Sequence, residues 1–170
     1  MKRTITTLTI ALALIFGMIT MSHAFINVLP KNSFGRAIDK ALQKERWNKP
    51  EEAKEYWQEA LPKGEELMEA LPDKAEYFMG TARCYYALGD YDKAIALYNQ
   101  ALKIRTDLGD KNLPDGYPWV YVYLGLSYAK LGDTAKAVEA WKQVPMTIGS
   151  VYGTIQDQIA KYSQQTAEAQ

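Results

Sequence analysis

The sequence predicts an all-helical protein: antiparallel helix pairs stacked into a short solenoid of about three repeats, closed by a carboxy-terminal capping helix. Three observations predict it. Apolar residues recur at helical spacing through Ala75–Thr106, with Gly89-Asp90 breaking the run in the middle. The same order of small and large residues returns between Pro118 and Gly149. No stretch alternates apolar and polar residues over a useful strand length.

The elements follow in the order of their clarity. In Ala75–Thr106, Phe78, Ala82, Tyr85 and Leu88 form one stripe, and Ala94, Ile95, Tyr98, Ala101 and Leu102 form a second after the turn. Small Ala82 and Ala94 let two helices approach closely, and Tyr85 and Tyr98 fill the space beside them. In the second unit, repeat 118–149, Tyr121, Leu124, Gly125, Tyr128, Gly132, Ala137, Trp141 and Val144 stand at corresponding places. Between the two units, 109–117 (GDKNLPDGY) reads as a loop from its Gly, Pro, Asn and Asp content. Pro145 is expected to end the last helix of the unit early.

A degenerate first repeat, 34–74, precedes these. Its second helix carries Ala53, Trp57 and Ala60 and is expected to run from about Glu51 to Leu71, kinked at Pro62 and stopped by Pro72, with two separate helices meeting near Pro62 as the alternative. Its first helix carries Phe34, Ile38, Ala41 and Leu42. After the repeats, residues 150–170 are expected to form the capping helix, with Val151, Tyr152, Ile155, Ile159 and Tyr162 on one face, and a frayed tail.

The amino terminus has a different character. Lys2 and Arg3 precede an apolar run, Leu8–Met21, and then Ser22-His23-Ala24. This is the pattern of a signal peptide over residues 1–24, cleaved after Ala24. The alternative is an uncleaved membrane anchor, though a spanning helix needs about 20 apolar residues and this run is shorter. Membrane anchoring is expected only if residues 1–24 stay on the chain. Export to a periplasm or cell envelope is the expected location.

Composition narrows the function. The chain has 20 basic and 20 acidic residues, and Lys2, Arg3 and the single histidine, His23, all lie in the expected leader. What remains is slightly acidic and lacks His. A basic footprint for nucleic acid is missing. Nucleophile systems that need His are excluded, and so are His-based metal sites. No Gly-rich phosphate loop with its Lys occurs. The one cysteine, Cys84, cannot form an internal disulfide and reads as a packed apolar residue. The expectation is therefore no enzyme, no cofactor and no metal.

The residues from Phe34 to Gly149 resemble the tetratricopeptide-repeat family. Phe78, Ala82, Tyr85, Gly89, Ala94, Tyr98 and Ala101 fall on that family's characteristic places in a unit of about 34 residues. The first repeat departs from the pattern, with Lys44 or Glu45 where the family prefers Tyr. The resemblance implies a concave face lined by the first helix of each pair, holding a protein or peptide segment. Carried over by residue, that face is Met79, Arg83 and Tyr86 in the middle repeat and Trp119, Val122, Leu126 and Lys130 in the last, with Glu76 beside them and Ile38 and Leu42 in the first. Arg83 and Lys130 are expected to serve as cationic handles. The Lys/Asn/Arg clamp with which chaperone-binding members hold a terminal carboxylate is not supported, since Met79, Gly80 and Arg83, and Val122, Tyr123 and Leu126, stand in its places. A partner-binding adaptor is the leading expectation, and a structural subunit of an oligomeric envelope complex is the alternative.

Overall fold

The computed structural model describes residues 32–168. The expectations for residues 1–24 lie outside the described residues. Within them the chain is helical and contains no strand.

Helix α1 is Ser33–Arg46. The Asn32 side chain accepts a hydrogen bond from the Gly35 N–H at 2.9 Å, satisfying one of the free donors at the helix start. Phe34, Ala37, Ile38, Ala41 and Leu42 are its buried stripe. Helix α2, Pro50–Ala70, opens with Pro at its first position and Glu51 and Glu52 in its first turn, where a missing N–H costs nothing and negative charge favours the helix dipole. It is one continuous helix with Pro62 inside it. Pro62 and Gln58 are both exposed, so the carbonyl freed by the missing N–H can turn to water. Ala53, Trp57, Ala60 and Gly64 hold the helix to the core on both sides of Pro62.

Helix α3, Ala75–Leu88, is buried almost all round and ends at Gly89, whose φ of 92° is the left-handed cap that glycine adopts without strain. Asp90 then caps α4, Tyr91–Asp107, by accepting from the Lys93 N–H at 3.3 Å. Residues 109–117 contain a single helical turn, α5, Leu113–Gly116. The Arg105–Asp110 ion pair at 2.6 Å and Arg105 lying 5.1 Å from the Tyr117 ring centre tie this connection down. Helix α6, Pro118–Lys130, turns at Gly132 into α7, Thr134–Lys142, which Asp133 caps from the Lys136 N–H at 3.1 Å. Pro145 follows the short α7, then a 3-10 turn, Met146–Ile148, and finally α8, Ser150–Glu168.

The pairs α1/α2, α3/α4 and α6/α7 stack in chain order, with α2 against α3 and α4 against α6, and α8 covers the far side of α7. Two glycines set the spacing. A Cβ on Gly64 would lie 2.2 Å from Thr81 Oγ1 and 2.7 Å from Phe34 Cε2. One on Gly125 would lie 2.2 Å from Trp141 Nε1. At both places the neighbouring helix stands where a side chain would have been.

Candidate binding face

At about 100° per residue, Met79, Arg83 and Tyr86 share one stripe of α3, rotated roughly a quarter turn from the Phe78–Ala82–Tyr85 stripe. On α6, Trp119, Val122 and Leu126 stand in the same relation to Tyr121–Gly125–Tyr128. Because α3 and α6 are neighbours, the two stripes lie on adjacent helices. Low amphipathicity accompanies this: α3 and α6 are apolar on more than the face that meets their own partner helix, as buried helices are.

Six of the seven expected site residues are buried: Met79, Arg83, Tyr86, Trp119, Val122 and Leu126. Lys130 is exposed.

The expectation of Arg83 as an open cationic handle needs correcting. Its side chain is 2% exposed and its charge is met within the chain. Nη2 donates to both carboxylate oxygens of Glu45, at 3.0 and 2.7 Å. Trp57 Nε1 donates to the same carboxylate at 2.9 Å. The guanidinium lies 4.5 Å from the Trp57 ring centre, 4.7 Å from Tyr123 and 5.3 Å from Tyr86. Tyr98 stacks on Tyr123 at 6.2 Å, and Tyr86 meets it edge-on at 5.1 Å. One cation thus joins residues of five helices, α1, α2, α3, α4 and α6. Sequence reasoning missed Glu45 and Trp57 as its partners. The available signal was the acid at the place in α1 where the family prefers Tyr.

The electrostatics follow from this burial. Desolvation is the largest influence and works against the Arg83 charge, but the Glu45 carboxylate together with Tyr123, Tyr98 and Tyr86 outweighs it and raises the guanidinium pKa. Burial pushes the Tyr86, Tyr98 and Tyr123 hydroxyls upward, with Arg83 opposing it. The Cys84 thiol is pushed up to about 12, chiefly by burial, so it stays protonated and is a poor nucleophile. Among the described residues, Arg83 Nε and Nη1 and the Tyr98 hydroxyl have no hydrogen-bond partner. Among the described residues, no group of three or more His, Cys, Asp or Glu is placed to hold a metal ion. No described helix is long and apolar enough to cross a membrane.

The outer side carries a cleft of about 340 Å³ between α4, α6 and α7, with Asn99, Leu102, Tyr121, Tyr128, Lys136 and Gln143 in its walls. Lys136 is already paired there with Asp133 at 2.8 Å.

These features define a class: an antiparallel helix-pair solenoid with small residues at the close approaches and an apolar inner stripe on its first helices. Tetratricopeptide-repeat models match residues 45–107 and 119–145, and the chain belongs to that family. No curated protein matches it by sequence. Among solved structures, it is similar to the first TPR of Spaghetti (RPAP3) bound to an HSP90 peptide, SRMEEVD. The identity is 16% and the TM-score 0.52, over 82% of this chain and 97% of that one. It is similar to the TPR2B domain of yeast Sti1 in a pHsp70 complex, at 18% identity and TM-score 0.51, over 78% of this chain and 97% of that one. The Sgt2 TPR domain of Aspergillus fumigatus gives 16% identity and TM-score 0.50 over 84% of each chain. At such identities the likeness shows the fold.

Proposed function

We propose that this chain is a non-catalytic adaptor that holds a segment of another protein against the inner side of its first helices. The observation that carries the reading is the adjoining pair of stripes, Met79–Tyr86 on α3 and Trp119–Val122–Leu126 on α6. Both helices are apolar on more than the side that meets α4 and α7, and the two stripes are buried in the structure. The structures of similar fold include one named as bound to an HSP90 peptide and one named as a pHsp70 complex, which supports the use of this scaffold for segment recognition. Scaffold likeness does not carry their ligands over. With Arg83 satisfied by Glu45, Lys130 is the exposed cation at the end of the face.

Export to a periplasm or envelope is part of the proposal and rests on the residue pattern of 1–24 alone. Sequencing the amino terminus of the protein recovered from the envelope tests it. Recovery of an uncut chain from the cytosol would remove that part.

Site-specific photo-crosslinking in the native cell tests the binding reading. A probe replacing Lys130 is expected to give a discrete adduct with one partner, and a probe replacing Asn99 in the outer cleft none. Adducts from position 99 alone would move recognition to the outer cleft and favour a structural subunit packed on its convex side.

A further inference from the structure

We propose that Arg83 holds an enclosed water molecule where the three helix pairs meet, on the part of its guanidinium that Glu45 leaves unmet, with the Tyr98 hydroxyl as the water's second partner. The inference stands apart from the adaptor reading and needs no open face. A guanidinium carries five N–H donors. Nη2 directs its own to the Glu45 carboxylate, at 3.0 and 2.7 Å. Among the described residues, Nε and Nη1 meet no acceptor, and the Tyr98 hydroxyl meets no partner. Arg83 is 2% exposed and Tyr98 0%, so bulk water does not reach them. Tyr123 also interacts with Arg83, without meeting either nitrogen. Tyr98 stacks on Tyr123 at 6.2 Å between ring centres, and the guanidinium lies 4.7 Å from the Tyr123 ring centre. The unmet groups thus gather around one ring.

A buried donor without an acceptor has lost its bond to water and gained none, and the loss is larger for a charged group. Folded proteins meet such groups with ordered water, which needs two or more polar partners. Charge decides between water and an anion. Glu45 already neutralises Arg83. Trp57, Tyr86 and Tyr123 add the electron-rich faces of their rings around the same cation. An anion would therefore set a second negative charge beside the Glu45 carboxylate, with no further cation in this cluster to meet it. A water brings no net charge. It also suits both kinds of group present. Its oxygen accepts from Nε or Nη1, and it exchanges a hydrogen bond with Tyr98, whose hydroxyl both donates and accepts. Burial pushes the Tyr98 pKa up, so that hydroxyl keeps its proton.

The test uses the full chain as the cell produces it, with its arginines labelled for NMR, and reads magnetisation transfer from water to the Arg83 Nε proton. The expected result is a dipolar cross-peak at the water frequency, with the sign of a long-lived bound water, at the same strength in chloride and chloride-free buffer. An Nε proton exchanging with bulk water too fast to observe would show an open guanidinium and overturn the enclosure. Cross-peaks to another part of the chain with none to water would mean that the chain itself supplies the acceptor, which overturns the water. An Nε resonance that moves with chloride concentration would replace the water by an anion. A second arm repeats the measurement in Tyr98→Phe, which keeps the ring and removes the hydroxyl. There the water cross-peak is expected to fall roughly twofold as the water loses a partner. A cross-peak of unchanged strength in that variant overturns the role of Tyr98.

Discussion

The middle and last repeats solve the same packing problem with different residues. Ala82 and Tyr98 in the middle repeat correspond to Gly125 and Trp141 in the last. Where the ring is larger, the facing residue has lost its Cβ: the Trp141 ring occupies the place a Gly125 methyl would need. The next position differs more. Arg83 of α3 corresponds to Leu126 of α6, and both are buried. Leu126 needs only apolar neighbours. Arg83 needs Glu45, three aromatic faces and a neighbouring repeat to supply part of them. One repeat can therefore change its residues on local terms, and the other only in concert with α1 and α2.

The sharpest way to break this comparison is to remove the Arg83 partner. Glu45→Leu leaves a buried guanidinium uncompensated and is expected to lower stability by about 3–5 kcal/mol, read as a fall in the urea midpoint. Arg83→Leu is expected to cost less, about 1.5 kcal/mol, because the carboxylate left behind is partly exposed and keeps the Trp57 N–H. The double variant makes the middle repeat resemble the last and should return to within about 1 kcal/mol of the native chain. Equal costs for the two single changes would mean that the pair does not hold this seam.

Gly125→Ala is expected to cost about 3 kcal/mol by overpacking against Trp141, measured by thermal unfolding. Adding Trp141→Tyr copies the Ala82/Tyr98 solution and should recover most of the loss. Failure to recover would show that the two repeats differ in backbone spacing as well as in side chains. A smaller effect tests the turns. Gly89→Ala and Gly132→Ala place a Cβ at φ values of 92° and 82°, and each is expected to cost about 1 kcal/mol, seen as a similar melting shift in both.

The smallest effect distinguishes the two caps. Hydrogen bonds from the Lys136 side chain and then its backbone N–H lower the Asp133 pKa below the ordinary carboxylate value. The charged form is therefore the one the fold favours. Its contribution is full above the unfolded-state pKa and fades as pH falls through the lowered folded one. Native and Asp133→Ala chains should differ in melting temperature at neutral pH and converge on acidification. A difference that persisted in acid would assign the cap to something other than charge.

The features read correctly from sequence are those that repeat within a short window. Ala82, Tyr98, Gly125 and Trp141 stand at matching offsets, so their packing roles follow from periodicity and size. The Arg83–Glu45 bond spans 38 residues and crosses the repeat with the weakest pattern, where a small error of register hides the acid. Pro62 is ambiguous in sequence because its effect depends on whether the freed carbonyl meets water, which is a property of the assembled surface. The α5 turn and the 3-10 turn are too short to show periodicity. A helical wheel also gives the direction of Met79 and Val122 without telling what lies against them.

The shared guanidinium makes the stack directional. Repeat arrays come apart from their ends, each unit leaving at the cost of one interface. Here the last pair can peel from α4 while Arg83 keeps its carboxylate. Peeling the first pair breaks the Arg83–Glu45 ion pair and takes the Trp57 ring from the guanidinium. Under a pulling force, the amino-terminal end should hold longer than its degenerate pattern suggests, and then yield together with the middle of the molecule.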